Sequence, residues 1–257
     1  NKAEKIRKEV IKISYNSKAH HIGSELSCLE ILVSLYFDVM NINPKKKIDA
    51  RDNFILSKGH AALALYVVLA EIGFYSYNYL EKNFLTNGGK LGGHPDRNEK
   101  LGIDFCSGSL GHGLSIASGM ALSDKINKSK KNVFVLLGDG ELNEGMIWES
   151  VLFCSHHKLD NLYAIIDSNN LQGFGFNTDI LNLNPIDEKF ISFGWNVQIV
   201  NGHNLKEIIL AFKKFKKNNK PNLLIAKTVK GKGIKFLENK LESHYKVLNY
   251  EEYKNSI

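Results

Sequence analysis

The sequence has few of the features that mark secreted, membrane or disulfide-rich proteins. It contains only three cysteines, Cys28, Cys106 and Cys154, which are odd in number and widely spaced. Such a pattern is typical of reduced thiols and indicates neither a disulfide framework nor a cysteine zinc site. No run approaches the roughly 20 apolar residues of a membrane span, and no targeting pattern opens the sequence. We therefore expect a cytoplasmic protein that has no membrane contact.

The sequence also lacks the motifs of several common ligand sites. No two histidines have the His-x-x-x-His spacing of a zinc-binding helix. The glycine-rich stretch Gly108-Ser109-Leu110-Gly111-His112-Gly113 follows no predicted strand, and Gly231-Lys232-Gly233 has no Ser or Thr after its lysine. These stretches therefore indicate neither a dinucleotide-binding fingerprint nor a Walker phosphate loop.

The charge of the chain gives only a weak indication of its ligands. The formal net charge is +7, and the densest basic run is Lys213-Lys214-Phe215-Lys216-Lys217. This run falls at the end of a helix predicted over 205–217, so we interpret it as a solvated helix face and expect no nucleic-acid binding. A modest positive charge also favours anionic substrates.

The most informative part of the sequence predicts a strand, a helix and a second strand. Two apolar runs, 133–137 and 163–166, are short and rich in β-branched residues, and the amphipathic stretch 144–157 lies between them. Asp139 follows the first run, and Asn169 follows the second. Because both strands of a parallel crossover end at the same edge of the sheet, these side chains should lie side by side. A carboxylate and a carboxamide there suit a hard cation with sites left for phosphate.

The remaining segments continue the alternation of strands and helices. We predict further strands at 54–56, 195–200 and 222–227, and helices at 2–16, 24–39 and 205–217. This order predicts an α/β fold with a mostly parallel central sheet and helices on both faces. The 257 residues suffice for one large domain, and no linker divides them. Residues 87–113 are glycine-rich without periodicity, which predicts a long functional loop.

Several histidines stand beside glycine or at the end of a predicted element. They are His21, His60, His94, His112, His203 and His244. A single histidine is more often structural than catalytic, so none of them identifies a site alone. Some of them precede a helix or follow a strand, where an imidazole can reach a phosphate or a substrate oxygen.

Seven pieces of the sequence belong together. They are Ala19-His20-His21-Ile22-Gly23-Ser24, Leu56-Ser57-Lys58-Gly59-His60-Ala61, Gly92-Gly93-His94-Pro95, Gly108 to Gly113, Gly138 to Gly145, Asp167 to Asn170, and Lys227-Thr228 to Gly233 with His244. In this order they resemble the N-terminal, diphosphate-binding part of transketolase, a thiamine diphosphate enzyme. One Gly-Asp-Gly is weak evidence, but seven ordered pieces over nearly the whole chain are specific. The resemblance implies that residues 1–257 form a single thiamine diphosphate-binding (PP) domain.

The resemblance also implies how a cofactor and a metal are held. Asp139, the Asn169 side chain and the Leu171 carbonyl would bind Mg²⁺ or Ca²⁺, and diphosphate oxygens and a water would complete the shell. The Gly140 N–H, His60 and His244 would bind the diphosphate. The other implied cofactor-binding residues are Gly108, Leu110, Gly138, Asp139, Glu144, Asn169 and Leu171. Glu144 and Glu149 also fall where family members place carboxylates at the contact between subunits.

Four histidines acquire a catalytic role through the same resemblance. His21, His60, His94 and His244 would surround the reactive carbon of the cofactor, bind the hydroxyls of a ketose and help to move protons. The cofactor would stabilise the carbanion, and the protein would supply position and electrostatics. The implied reaction transfers a two-carbon ketol unit from a ketose phosphate to an aldose phosphate.

Some positions depart from the pattern of the family. Ser109 stands where proline is common, His112 where glutamine is common, and Tyr245 where glycine is frequent. Gln172-Gly173-Phe174-Gly175 is also not the usual sequence after the metal asparagine. These departures concern loop detail and leave the implied metal residues in place.

The resemblance accounts for only one of the domains that a transketolase needs. The aminopyrimidine-binding (Pyr) domain, which carries the glutamate that activates the cofactor, and the C-terminal domain are absent from the 257 residues. We therefore expect either the separate N-terminal subunit of a split transketolase or one domain of a cut polypeptide, active only with a C-terminal partner subunit. The expected assembly is an α₂β₂ heterotetramer, with self-association of this chain as a further expectation.

Other functions remain open at this point. One is a transketolase-like enzyme that acts on an activated or unusual sugar. Another is a pyruvate-using synthase related to deoxyxylulose-phosphate synthase, or a dehydrogenase E1 component, although Ser57-Lys58-Gly59-His60 and Gly92-Gly93-His94-Pro95 argue against both. The last is a non-catalytic cofactor-binding protein, which the retained Asp139, Asn169 and histidines disfavour.

Overall fold

A parallel β-sheet forms the centre of the molecule. The computed structural model describes residues 2–46 and 50–257, and within these ranges the sheet has five strands. They are β1 (Asn53–Leu56), β2 (Val133–Gly138), β3 (Leu162–Ser168), β4 (Asn196–Asn201) and β5 (Asn222–Lys227). All neighbouring strands are parallel, in the order β1-β2-β3-β5-β4. The predicted α/β fold is therefore confirmed.

Helices cover the sheet and connect its strands. The N-terminal half contains α1 (Lys2–Ser17), α2 (Ile22–Ser27), α3 (Leu29–Ser34), α4 (Ala62–Ile72), α5 (Tyr77–Asn83) and α6 (His112–Ile126). The C-terminal half contains α7 (Gly145–His156), α8 (Asn177–Ile180), α9 (Ile186–Ser192), α10 (Leu205–Lys214) and α11 (Tyr250–Lys254). Across the described part of the chain, no helix has the length and apolar character required to cross a bilayer.

Side chains of each strand alternate between two hydrophobic cores. On β2, Phe134 and Leu136 join the core that contains α1 to α4 and α10. Val133, Val135 and Leu137 join the core that contains α6, α7 and α9. Because both faces of the sheet are covered, every β2 side chain before the terminal glycine is buried, which explains the uninterrupted apolar run in the sequence.

The helix predicted over 24–39 is wrong in detail. The chain instead forms α2, α3 and a π-helical segment, Leu35–Val39, with a break between α2 and α3 at Cys28. The Ser27 hydroxyl and the Cys28 thiol both donate to the Ser24 carbonyl, at 3.2 and 3.4 Å. These side chains compete with the backbone for a helical acceptor, which interrupts the helix that apolar spacing predicts.

The helix predicted over 205–217 ends three residues early. Its last residue is Lys214, and Phe215 turns to an extended conformation with φ −65° and ψ 131°. The Phe215 ring packs with centroids 6.0 Å from Phe212 and 5.9 Å from Tyr163. Burial of this aromatic ring therefore overrides the helical pattern. Lys213 and Lys214 are exposed, as expected of a solvated helix face.

Candidate active site

Asp139 and Asn169 lie next to each other at the carboxyl edge of the sheet. β2 pairs with β3 so that Gly138 is opposite Asp167, and the two chains leave the sheet together. The Asp139 carboxylate accepts hydrogen bonds from the Gly140 N–H at 2.8 Å and the Asn170 N–H at 2.5 Å. The structure thus brings together the two side chains that the strand–helix–strand order places side by side.

A cavity of about 370 Å³ opens at this edge of the sheet. Every residue to which the sequence assigns a catalytic, cofactor-binding or metal role lines it. They are His21, His60, His94, His244, Gly108, Leu110, Gly138, Asp139, Gly140, Glu144, Asn169 and Leu171. Glu149, by contrast, does not line this cavity; its side chain is exposed on α7. The loop predicted over 87–113 supplies His94, Gly108 and Leu110, although its last two residues already begin α6.

Four histidine rings face the same part of the cavity. The His21 ring centroid lies 5.5 Å from that of His60, 6.2 Å from His94 and 5.4 Å from His244. His21 reaches this position from a left-handed backbone conformation, φ 71°, just before α2 begins. A non-glycine residue rarely adopts such a conformation, and strain of this kind concentrates at functional sites.

Three of these imidazoles are neutral at physiological pH. Burial, followed by the nearby His94, lowers the pKa of His21 to about 4. Burial and the neighbouring Lys230 lower the pKa of His244 to about 3, and burial with Lys58 holds the pKa of His60 well below its usual value. A neutral imidazole has one donor and one acceptor nitrogen, which suits the hydroxyl groups of a sugar.

Lys58 and Asp167 form a buried ion pair beneath the cavity, which the sequence analysis missed. The Lys58 ammonium donates to the Asp167 carboxylate and, at 3.1 Å, to the Ser24 carbonyl. Asp167 also accepts from the hydroxyls of Ser27 and Thr228. The pKa of Asp167 is lowered because Lys58 and these donors outweigh its burial. Lys58 follows β1 and Asp167 lies at the end of β3, both in motifs already identified in the sequence. These positions were the sequence signal that could have revealed the ion pair.

Lys230 is a second buried cation, and it contacts the loop that carries Leu171. Its ammonium donates to the Leu171 carbonyl at 2.9 Å and lies 2.6 Å from His244 Nδ1. Burial and the charge of Lys58 lower the pKa of Lys230 to about 8. Its position three residues after β5, at the same sheet edge, was the sequence signal that could have identified it.

Glu141 joins three segments that border the cavity. Its carboxylate accepts from the Ser57 hydroxyl, from the Gly111 N–H at 2.8 Å and from the Gly138 N–H at 3.1 Å. These contacts tie the end of β1, the start of α6 and the end of β2 to one buried side chain. Sequence reasoning missed this role, because nothing in the local pattern distinguishes Glu141 from a solvent-facing residue.

The oxygen atoms around Asp139 fit a hard cation. Asp139, Asn169 and Leu171 all line the cavity, and the Leu171 carbonyl oxygen accepts a hydrogen bond from the ammonium of Lys230. In the described ranges, no three His, Cys, Asp or Glu side chains cluster as metal ligands. A site built here would therefore rely on amide and carbonyl oxygens beside one carboxylate, as Mg²⁺ and Ca²⁺ sites commonly do.

Comparison with known proteins identifies the family. The model of the thiamine diphosphate-binding domain of transketolase matches residues 1–256. The chain belongs to the transketolase family. Members of this family are transferases, and the domain matched here is the one that binds thiamine diphosphate.

The similar proteins include separate transketolase subunits and a complete transketolase. One subunit of the apulose-4-phosphate transketolase of Phocaeicola vulgatus is 42% identical over 257 residues, 99% of this chain and 91% of that protein. A 6-deoxy-6-sulfo-D-fructose transketolase subunit of a Clostridium species is 39% identical, over 92% of this chain and 86% of that protein. The crystal structure of Campylobacter jejuni transketolase superposes with a TM-score of 0.91 at 32% identity, and covers 99% of this chain. This chain spans only 41% of that solved chain.

Proposed function

We propose that this chain is the thiamine diphosphate-binding subunit of a two-subunit transketolase. The complex would transfer a two-carbon ketol unit from a ketose phosphate to an aldose phosphate. The observation that carries this proposal is the meeting of four histidine rings and the Asp139–Asn169 pair in one cavity. A scaffold protein would have no need for three partly buried, neutral imidazoles beside the oxygen atoms of Asp139 and Asn169.

The cavity offers separate groups for each part of the cofactor. Asp139, Asn169 and the Leu171 carbonyl would hold Mg²⁺ or Ca²⁺, and the metal would bridge to the diphosphate. His60, His244 and the Gly140 N–H would bind diphosphate oxygens, and Gly108, Leu110, Gly138 and Glu144 would complete the cofactor pocket. When bound, thiamine diphosphate supplies the carbanion-stabilising chemistry.

The histidines would act on the sugar. The His21 and His94 rings lie edge to face in the cavity, with their centroids 6.2 Å apart. Imidazole rings at this spacing can bind neighbouring hydroxyl groups of a ketose and pass a proton to or from the hydroxyl of the carbon that is released. Their role would be to orient the sugar and to move that proton as the carbon–carbon bond breaks.

A partner subunit would complete the site. Relatives whose length this chain covers almost fully are named as single subunits of transketolases, which supports a division of the enzyme between two chains. The mouth of the cavity also exposes large apolar side chains, with Phe174 86% and Leu110 38% accessible. A C-terminal subunit that carries the Pyr domain would cover this rim, and residues 1–257 would form one PP domain of an α₂β₂ heterotetramer.

A second candidate substrate class is an unusual sugar. The similar subunits are named for apulose 4-phosphate and 6-deoxy-6-sulfo-D-fructose, and not for the common ketoses. The same residues of this chain would then bind the first carbons of the sugar, and the partner would bind its distal anionic group.

Reconstitution of the complex tests the proposal. The chain would be purified with its co-purifying partner and assayed with thiamine diphosphate, Mg²⁺, ribose 5-phosphate and one of three donors: xylulose 5-phosphate, apulose 4-phosphate or the sulfo-sugar. We expect transfer by the complex and none by either chain alone. Turnover by the isolated chain would contradict the split site, and an inactive, correctly loaded complex would contradict ketol transfer.

A further inference from the structure

Tyr245 stands at the mouth of the cavity, beside two of the four histidines. Its ring centroid lies 4.6 Å from that of His244 and 5.3 Å from that of His21. The side chain lines the cavity and is 57% exposed. A sugar bound at the exposed edges of His21 and His244 would therefore lie next to the Tyr245 ring.

Two neighbours adjoin Tyr245, one at its backbone and one at its phenol oxygen. The Tyr245 carbonyl accepts a hydrogen bond from His20 Nδ1 at 3.2 Å. The phenol oxygen lies 3.2 Å from the point where a Cβ on Gly173 would stand, so any larger residue at 173 would press on it. Because Gly173 has no side chain, the Tyr245 phenol has room to lie over the loop that follows Asn169.

Within the part of the chain that the structure describes, the mouth of the cavity offers bulky side chains and no exposed positive charge. Its rim carries Tyr245, Phe174 and Leu110. Among the described residues that line the cavity, the lysines are Lys58 and Lys230, and both are only 1% exposed and hydrogen-bonded internally. A distal phosphate or sulfonate finds no free ammonium here, so this chain can select a sugar mainly through the bulk that fits beside the rings.

We propose that Tyr245 is a specificity-determining residue that limits the bulk of the ketose next to the carbons bound by His21. It would favour unbranched ketose phosphates over those with a hydroxymethyl branch at the third carbon. The inference rests on the proposed ketol transfer and deepens it, because it assigns part of the sugar selection to this chain. One carbon more or less in a filled pocket changes specificity by roughly 10- to 200-fold.

The test uses the complex of this chain with its partner and three variants. Tyr245→Ala removes the wall, and Tyr245→Phe keeps the ring without the hydroxyl. Tyr250→Ala is the matched control, because Tyr250 is 59% exposed but does not line the cavity. For each complex, kcat/KM is measured with xylulose 5-phosphate, which is unbranched, and with apulose 4-phosphate, which is branched at the third carbon. Calorimetry gives the Kd for thiamine diphosphate.

We expect Tyr245→Ala to shift the ratio of the two kcat/KM values at least about tenfold towards the branched sugar. Tyr245→Phe and Tyr250→Ala should keep the ratio within about threefold of the wild type, and the cofactor Kd should change less than the ratio. A ratio that is unchanged in Tyr245→Ala, or equally shifted in Tyr250→Ala, overturns the inference alone. A wild-type complex that transfers from neither of these two sugars overturns the inference, and one that also fails with the sulfo-sugar overturns the proposed function as well.

Discussion

Replacement of Lys58 by methionine should lower the unfolding free energy of this protein by about 3 kcal/mol at pH 7. Removal of one partner of a buried ion pair costs roughly 3–5 kcal/mol, because the other charge stays buried without compensation. Lys58 and Asp167 are 1% and 0% exposed. Asp167 keeps the hydroxyls of Ser27 and Thr228 as donors, which places the loss near the lower end of that range.

The effect of this substitution should also depend on pH, with a defined sign. In the wild type the pKa of Asp167 is lowered, so its contribution to stability is present at neutral pH and disappears only as the pH falls through that low pKa. Without Lys58, burial raises the pKa of Asp167, and the carboxylate destabilises the folded state until it is protonated. The difference between variant and wild type should therefore shrink from pH 7 to pH 5.

Urea titration followed by circular dichroism at pH 7 and pH 5 measures both quantities. Lys5→Met is the matched control, because the Lys5–Glu71 pair is exposed on its lysine side and should contribute at most about 1 kcal/mol. The double variant Lys58→Met with Asp167→Leu should recover most of the loss, since no buried charge remains. A Lys58→Met protein within about 1 kcal/mol of the wild type, or one that loses more stability at pH 5 than at pH 7, would refute the reasoning.

Three further predictions concern the cavity. Asp139→Ala should abolish the Mg²⁺-dependent binding of thiamine diphosphate measured by calorimetry. Asp179→Ala is the control, because Asp179 is exposed, and it should leave this binding unchanged. Equal affinity in the two variants would contradict the metal assignment. Burial and the nearby Asp167 raise the pKa of Asp139 to about 6. Mg²⁺-dependent cofactor binding should therefore weaken as the pH falls from 7.5 to 5, because the carboxylate becomes protonated. A cofactor affinity that does not change over this pH range would count against the role of Asp139. His94→Ala should lower kcat/KM for the donor about 100-fold in the complex with little change in cofactor affinity, whereas His112→Ala, outside the cavity, should change neither. A parallel loss of cofactor affinity in His94→Ala would show that its role is misassigned.

The position of the site was predictable because parallel strands impose it. Asp139 and Asn169 follow two apolar runs joined by an amphipathic helix, and that order alone places both at one sheet edge. The motifs with His60, His94 and His244 identified three further lining residues through the family pattern. All of these residues except His244 lie at the end of a predicted strand or beside a glycine, and these local patterns indicate a position at the ligand site.

The buried polar network was not predictable in the same way. Lys230 and Glu141 read as ordinary charged residues, yet each is buried and joins segments that are far apart in the chain. The break at Cys28 and the early end of α10 likewise depend on contacts with distant residues or on competing side-chain hydrogen bonds. Local patterns carry no information about such partners.

The sequence by itself determined the α/β fold, the edge at which the ligands meet and the family, because these depend on periodicity and on the order of motifs. Only the tertiary structure decided that Lys58 pairs with Asp167 and that Lys230 contacts the Leu171 carbonyl. It also decided that the Tyr245 ring lies beside His21, in the space left by Gly173. The physical reason is desolvation. A lysine or a tyrosine takes part in these contacts only when distant segments fold around its side chain and exclude water.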